Sequence, residues 1–109
     1  MREFVELSVF TKRWKELELN DDDLRFLQNI IVENPKVGDV IPGTNGIRKL
    51  RFAFGGKGTR GGVRIIYIDF KSVGRVYLLV AYPKSKQDDM TNKERQHFRK
   101  IVENLENSV

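Results

Sequence analysis

The residues of this chain that could do chemistry are mainly basic. Between Val40 and Ile68 the sequence has six Lys and Arg residues and no Asp or Glu. Such side chains stabilise negative charge on a phosphate, and a Tyr, or a Lys of lowered pKa, can help protons move. The candidates that could converge on one phosphate are Lys49, Arg51, Lys57, Arg60, Arg64, Tyr82 and Lys84. We therefore expect this part of the chain to face a polyanion.

The absence of other residue types narrows the reaction classes. The chain has no Cys and a single His, and Asp69 is the only acidic residue from 40 to 86. A hydrolytic metal centre needs a cluster of His, Asp or Glu, so we expect no metal and no cofactor. RNA can be cleaved without a metal, because its 2′-hydroxyl is an internal nucleophile that the protein has only to align and assist. Composition alone predicts binding, with RNA cleavage as a permitted chemistry.

A glycine-rich stretch joins two strand-like runs. Residues 55–62 read Gly-Gly-Lys-Gly-Thr-Arg-Gly-Gly, and bare backbone amides of this kind can close on anionic oxygens. A nucleotide P-loop would open a helix, whereas an apolar β run follows here. The pattern favours a basic hairpin tip, with Lys57 and Arg60, that contacts a nucleic acid backbone. A flexible connection without a ligand is the alternative.

Length and charge set the broad class. The 109 residues, 39% hydrophobic and 32% charged, predict a single domain over 1–109. The opening residues do not form a secretory signal, and no apolar run approaches the ~18 residues of a membrane span, so we expect a cytoplasmic protein. Residues 40–86 hold ten basic residues against one acidic residue. This asymmetry favours nucleic acid or an acidic protein as partner, the alternative being a solvated basic surface without a ligand.

Hydrophobic periodicity predicts an α+β fold. A short strand at Glu3–Leu7 precedes two helices, the first capped by Ser8 or Thr11 and the second running from a cap at Asn20 to about Asn34. An antiparallel three-strand meander and a C-terminal helix packed on the sheet complete the prediction. The strands are expected at Ile47–Phe54, Val63–Phe70 and Arg75–Tyr82, and the helix follows a Thr91–Glu94 capping box and packs through Phe98, Ile101, Val102 and Leu105.

Alternation along the first meander strand assigns side chains to faces. Lys49 and Arg51 share one face, while Leu50 and Phe52 share the other with Arg48. Arg64 lies near the start of the central strand, where it leaves the glycine-rich stretch, and we expect it not to be deeply buried. Periodicity predicts that Trp14 is a core residue, and His97 is expected at the surface.

Three segments together resemble a known family. They are Gly43 to Ala53, Gly56 to Tyr67, and Tyr77 to Ser85 with the following Asp-Asp-Met-Thr-Asn-Lys-Glu. The sequence resembles the RelE/ParE superfamily of bacterial type II toxins, particularly its HigB-like branch. The resemblance implies a small RelE-like α+β domain and a cognate antitoxin encoded beside it, which we expect to be of helix-turn-helix type. It also implies a ribosome-dependent mRNA endonuclease that acts by 2′-hydroxyl attack and yields a cyclic phosphate.

The resemblance also assigns roles to residues. It implies that Arg64 stabilises the phosphate, that Lys49 and Arg51 line the same surface, and that Tyr82 and Lys84 are active-site groups. The remaining cations predicted to bind RNA are Arg48, Lys57, Arg60 and Lys86. Some relatives hold histidines and an aspartate in this site, and the corresponding stretch here has none. The general base is therefore open, and the pattern favours catalysis by positioning and electrostatics, with the ribosome supplying part of the geometry.

Two other function classes remain open on the sequence. ParE relatives poison DNA gyrase and are not nucleases. A non-catalytic module is the other alternative, in which the basic face holds RNA or an acidic protein segment.

Overall fold

The computed structural model describes residues 2–53, 62–83 and 91–108. Apart from one additional short strand, its helices and strands follow the order that the sequence predicts, and the predicted α+β class is confirmed. The strands are β1 (Glu3–Glu6), β2 (Asp39–Val40), β3 (Arg48–Phe52), β4 (Val63–Phe70) and β5 (Arg75–Pro83), and the helices are α1 (Ser8–Glu16), α2 (Asp21–Glu33) and α3 (Asn92–Asn107). A 3₁₀ turn at Lys71–Val73 connects β4 to β5 and ends at Gly74, whose φ is 66°.

The described strands form one mixed sheet in the order β1-β5-β4-β3-β2. Its centre is the predicted antiparallel meander, β3-β4-β5. Two short strands extend it: β1 pairs in parallel with β5, and β2 pairs antiparallel with β3. The prediction of a three-strand sheet is therefore incomplete, because it contains no strand at residues 39–40 and specifies no partner for β1.

Two of the three helices begin at the predicted polar caps. The Asn20 side chain accepts a hydrogen bond from the Asp23 amide, and the Asp23 carboxylate accepts one from the Asn20 amide. Thr91 and Glu94 form the same reciprocal arrangement at the start of α3. The predicted cap of α1 is wrong: Leu7 occupies the cap position without a side-chain hydrogen bond. Thr11 lies inside that helix, where its hydroxyl donates to Glu6 at 2.9 Å.

Each face of the sheet carries its own hydrophobic cluster. On one face α1 and α2 pack through Phe10, Trp14, Leu27 and Ile31 against alternate residues of β3, β4 and β5. Trp14 is 5% exposed, which confirms it as a core residue. On the other face α3 packs through Phe98 and Val102 against a cluster that includes Ile66, Ile68 and Leu79. The sheet thus lies between two helical layers, and any binding surface must use what those helices leave open.

Tyr67 fixes the connection between α2 and β3. Its hydroxyl accepts a hydrogen bond from the Gly38 amide at 3.0 Å and donates one to the Pro35 carbonyl at 2.8 Å. A Cβ on Gly38 would lie 2.9 Å from Tyr67 Cε1 and 3.0 Å from the Lys49 carbonyl oxygen, so only glycine fits there. Burial raises the pKa of Tyr67, and the hydrogen bond from Gly38 partly opposes that rise.

The N-terminal segment is anchored to the end of β4 by an ion pair. Arg2 Nε donates to Asp69 Oδ1 at 2.7 Å, and Arg2 Nη2 donates to Asp69 Oδ2 at 2.9 Å. This two-pronged arrangement holds the guanidinium in one orientation and raises the pKa of Arg2, mainly through the hydrogen bond to Asp69. Among the described residues, no helix is long and apolar enough to span a membrane.

Candidate functional site

Three adjacent strands bring Arg51, Arg64 and Tyr82 into one row across the sheet. Arg51 on β3 lies opposite Arg64 on β4, and Arg64 lies opposite Tyr82 on β5. Residues directly opposite in an antiparallel pair share a face and have Cβ atoms about 4.5–5.5 Å apart. Lys49 lies two residues before Arg51, opposite Ile66, and is therefore on the same face. We call these four residues the basic row.

Exposure differs sharply within the basic row. Arg51 is exposed, Lys49 and Tyr82 are partly buried, and Arg64 is only 4% exposed. The expectation that Arg64 is not deeply buried is therefore wrong. There are two reasons for this burial. Phe52 of β3 and Pro83 of β5 both pair with Val63, so a strand flanks Arg64 on each side. The Arg64 side chain also lies on the sheet face against which α3 packs. Burial restrains the orientation of this guanidinium, whereas Arg51 keeps the freedom of a surface side chain.

The electrostatics of the basic row favour an anionic ligand. Like charges directly opposite each other on paired strands are destabilising, and Arg51 faces Arg64 in this way, with Lys49 on the diagonal. Within β3, β4 and β5 the only acidic residue is Asp69, at the far end of β4 and paired with Arg2. A phosphate placed over the row would offset the repulsion between the cations.

The other predicted site residues do not all join the row. Arg48 lies on the opposite face, where its Nη1 donates to the Gly38 carbonyl at 2.7 Å and to the Lys36 carbonyl at 3.3 Å. These bonds support the α2–β3 connection. Lys57, Arg60, Lys84 and Lys86, together with the glycine-rich stretch except for Gly62, lie outside the described residues. His97 is exposed on α3, as expected.

The described part of the chain contains no group of three or more His, Cys, Asp or Glu side chains that could hold a metal ion. The basic row combines one buried cation, Arg64, and two more exposed cations with the phenol hydroxyl of Tyr82. Chemically, this arrangement can bind a phosphodiester, stabilise charge that develops on its oxygens, and donate a proton.

The structure also shows two arginines that sequence reasoning did not single out. Arg95 and Arg99 on α3 line a cleft with Pro42 and Gly43 from the loop between β2 and β3. Their spacing of four on an amphipathic helix is ordinary for a solvated face. What distinguishes these two arginines is that they lie beside a loop some fifty residues earlier in the chain. The sequence alone does not reveal this proximity.

Comparison with known families agrees with the architecture. The family model described as the RelE toxin of the RelE / RelB toxin-antitoxin system matches residues 2–108. The match spans every described residue and confirms the resemblance to RelE; it does not single out the HigB-like branch. Toxins of this family pair with an antitoxin and are generally endoribonucleases that cut mRNA. With nearly the whole chain matched, the protein belongs to the RelE toxin family of toxin-antitoxin systems.

Proposed function

We propose that this toxin is a ribosome-dependent mRNA endonuclease of the HigB-like branch, which cleaves by 2′-hydroxyl attack. The observation that carries the proposal is the basic row, in which β-sheet register places Arg51, Arg64 and Tyr82 side by side. Membership of a family whose toxins generally cut mRNA supports the same reaction class.

In the proposed reaction the 2′-oxygen attacks phosphorus and the bond from phosphorus to the 5′-oxygen breaks. The products are a 2′,3′-cyclic phosphate and a free 5′-hydroxyl. Negative charge increases on the non-bridging oxygens in the transition state, where a positioned guanidinium is worth more than a freely hydrated one. Arg64 fits this role because its burial limits the reorganisation needed during reaction. Arg51 and Lys49 hold the flanking phosphate oxygens.

Two protons must move in this reaction. The 5′-oxygen gains one as it leaves, and Tyr82, at the β5 end of the basic row, is the proposed donor. Lys84 follows β5 directly in the chain and is proposed to assist the same transfer. The 2′-hydroxyl loses the other proton to solvent water, since no residue of the basic row is assigned as the base. The ribosome is proposed to supply part of the geometry by holding the message in line for attack.

The remaining predicted cations are proposed to guide RNA towards the row. Lys57, Arg60 and Lys86 would act through charge, and Arg48 through its support of the loop before β3. The antitoxin, proposed to be of helix-turn-helix type, would neutralise the toxin in the cytoplasm by covering or distorting the basic row, because occupying the same cations is the simplest way to exclude RNA.

Primer extension on messages translated in vitro tests the proposal. Wild type should produce cuts in the ribosomal A site, and Arg64→Ala should reduce the cutting rate about 10²–10³-fold, the usual loss when one transition-state donor is removed. Lys71→Gln serves as the control, since Lys71 is an exposed cation in the β4–β5 turn. Circular dichroism must show that Arg64→Ala is folded.

Equal cutting by a folded Arg64→Ala variant would refute the assigned role of Arg64. Intact messages combined with inhibition of DNA gyrase supercoiling would refute the nuclease and select the ParE-like alternative.

A further inference from the structure

A second cationic site lies at the flank of α3, away from the basic row. Pro42 and Gly43 form one wall of a solvent-open cleft of about 270 Å³, and α3 forms the other. The helix contributes Asn92, Arg95, Gln96 and Arg99. This volume is below the roughly 300–1,000 Å³ of sites for drug-sized molecules, so it suits a small ion or a single group of a larger ligand.

The cleft walls are held together by contacts on both sides. Asn45 Nδ2 donates to Glu106 Oε1 at 2.9 Å, which ties the loop to the later turns of α3. Ile41 and Ile47, at the two ends of the loop, join the same hydrophobic cluster as Phe98. The loop therefore runs along α3 over several turns, and the cleft is a feature of the packed fold.

The lining favours an anion. Among the residues that the structure describes, it contains two arginines and two carboxamides and no carboxylate. Arg95 Nε is enclosed and finds no acceptor among the described residues, so this nitrogen has lost hydration without a compensating hydrogen bond. Asn92 is the first residue of α3, where the helix dipole is positive, and Arg95 and Gln96 follow about one turn later.

One acidic side chain competes for the cleft from outside its lining. Glu103 Oε1 lies 3.5 Å from Arg99 Nε, and both side chains are more than half exposed. Exposed pairs of this kind are weak, so an anion in the cleft can displace the carboxylate. Removing the Glu103 carboxylate should therefore strengthen the binding of an anion in the cleft.

We propose that the cleft is a phosphate-binding site, formed by Arg95 and Arg99, that holds a backbone phosphate of RNA remote from the scissile bond. The proposal rests on the proposed function in that the ligand is RNA. Helix α3 packs on the sheet face that carries the basic row, so both sites lie on one side of the sheet. Two separated phosphate contacts would raise the affinity for RNA and would also set the direction in which the RNA strand binds.

The first experiment follows inorganic phosphate by amide NMR on the isolated protein. We expect phosphate to shift the amides of Gly43 and of residues 92–96 in wild type. Arg95→Gln and Arg99→Gln should abolish those shifts, and Arg99 is exposed enough that its substitution leaves the fold intact. Lys100→Gln removes the same charge from an exposed position of α3 outside the cleft and should retain them. Glu103→Gln should tighten phosphate binding several-fold.

The second experiment measures binding of a 2′-O-methyl RNA oligonucleotide, which cannot be cleaved, across a range of salt concentrations. Arg95→Gln or Arg99→Gln should weaken binding several-fold and lower the salt slope by about 0.7 per lost contact, while Lys100→Gln should have a much smaller effect. Equal weakening by Lys100→Gln would overturn the proposal, because it would show general charge attraction. Phosphate binding without any effect on RNA affinity would overturn RNA as the ligand and leave a site for free phosphate. Neither measurement involves cleavage, so loss of the proposed nuclease function would be seen separately.

Discussion

Arg51→Gln is expected to make the free toxin more stable while it weakens RNA cleavage. Arg51 lies directly opposite Arg64, with Cβ atoms about 4.5–5.5 Å apart. Two unit charges about 7 Å apart in a water-like dielectric repel by about 0.6 kcal/mol, and like-charged cross-strand pairs cost roughly 0.2–1 kcal/mol. Because Arg51 is exposed and Arg64 is buried, we expect a gain of about 0.5 kcal/mol at low salt.

Urea unfolding followed by circular dichroism can measure this gain. For a denaturant slope of about 1–3 kcal/mol/M, it raises the midpoint by roughly 0.2–0.5 M. In 1 M NaCl the Debye length falls to about 3 Å, so the difference between variant and wild type should vanish. The same variant should lose affinity for RNA, since it removes one of the cations proposed to hold the phosphate.

Lys12→Gln is the matched control for this experiment. Lys12 is exposed on α1, which packs on the other face of the sheet, and the substitution lowers the net charge equally. If Arg51→Gln were less stable than wild type at low salt, or if it gained only as much stability as Lys12→Gln, charge repulsion between Arg51 and Arg64 would not explain the change in stability. A gain that persisted unchanged in 1 M NaCl would equally refute the reasoning.

The remaining predictions concern the connection held by Tyr67. Tyr67→Phe leaves the Gly38 amide and the Pro35 carbonyl without their partner and should lower the free energy of unfolding by about 1–3 kcal/mol in urea; an unchanged midpoint would show that solvent satisfies both groups. Burial raises the pKa of Tyr67 above its ordinary value of 10.0, so its contribution to stability is complete below that pH and is lost as pH rises through the folded-state pKa. Wild type should therefore lose more stability than Tyr67→Phe in unfolding experiments above that pH, and parallel losses would contradict the assignment. Gly38→Ala should cost roughly 1–3 kcal/mol because its Cβ meets both Tyr67 and the Lys49 carbonyl, and a stability equal to wild type would mean that the loop shifts freely.

The sequence predicts those parts of the fold that depend on neighbouring residues. The capping boxes at Asn20 and Thr91 join residues three apart, and the sequence window around them contains the whole interaction. The same holds for alternation along β3, which placed Lys49 and Arg51 on one face before any partner strand was known. A hydroxyl at Ser8 or Thr11 does not by itself identify the cap of α1, because this helix starts after Leu7 without a side-chain hydrogen bond.

Features that depend on distant residues were not predictable in the same way. Strand β2 has only two residues, and its existence depends on pairing with Arg48 and Lys49. The burial of Arg64 depends on how far β3 and β5 extend beside it and on the packing of α3. The cleft at Arg95 needs a loop and a helix that are far apart in sequence. The roles of the site residues, and the interpretation of 1–109 as one domain, stay predictions.

The parallel pairing of β1 with β5 has a consequence for synthesis of the toxin. Glu3 pairs with Arg75, and their side chains, 72 positions apart, also form an ion pair at 3.2 Å. At translation rates of about 5–20 residues per second, the first strand waits roughly 4–14 s for its partner to be made. This pairing thus joins two strands whose synthesis is separated by about 72 residues. Until then Phe4 and Val5 have no strand to pair with, and an incomplete chain exposes their apolar side chains and unpaired backbone groups to chaperones and proteases.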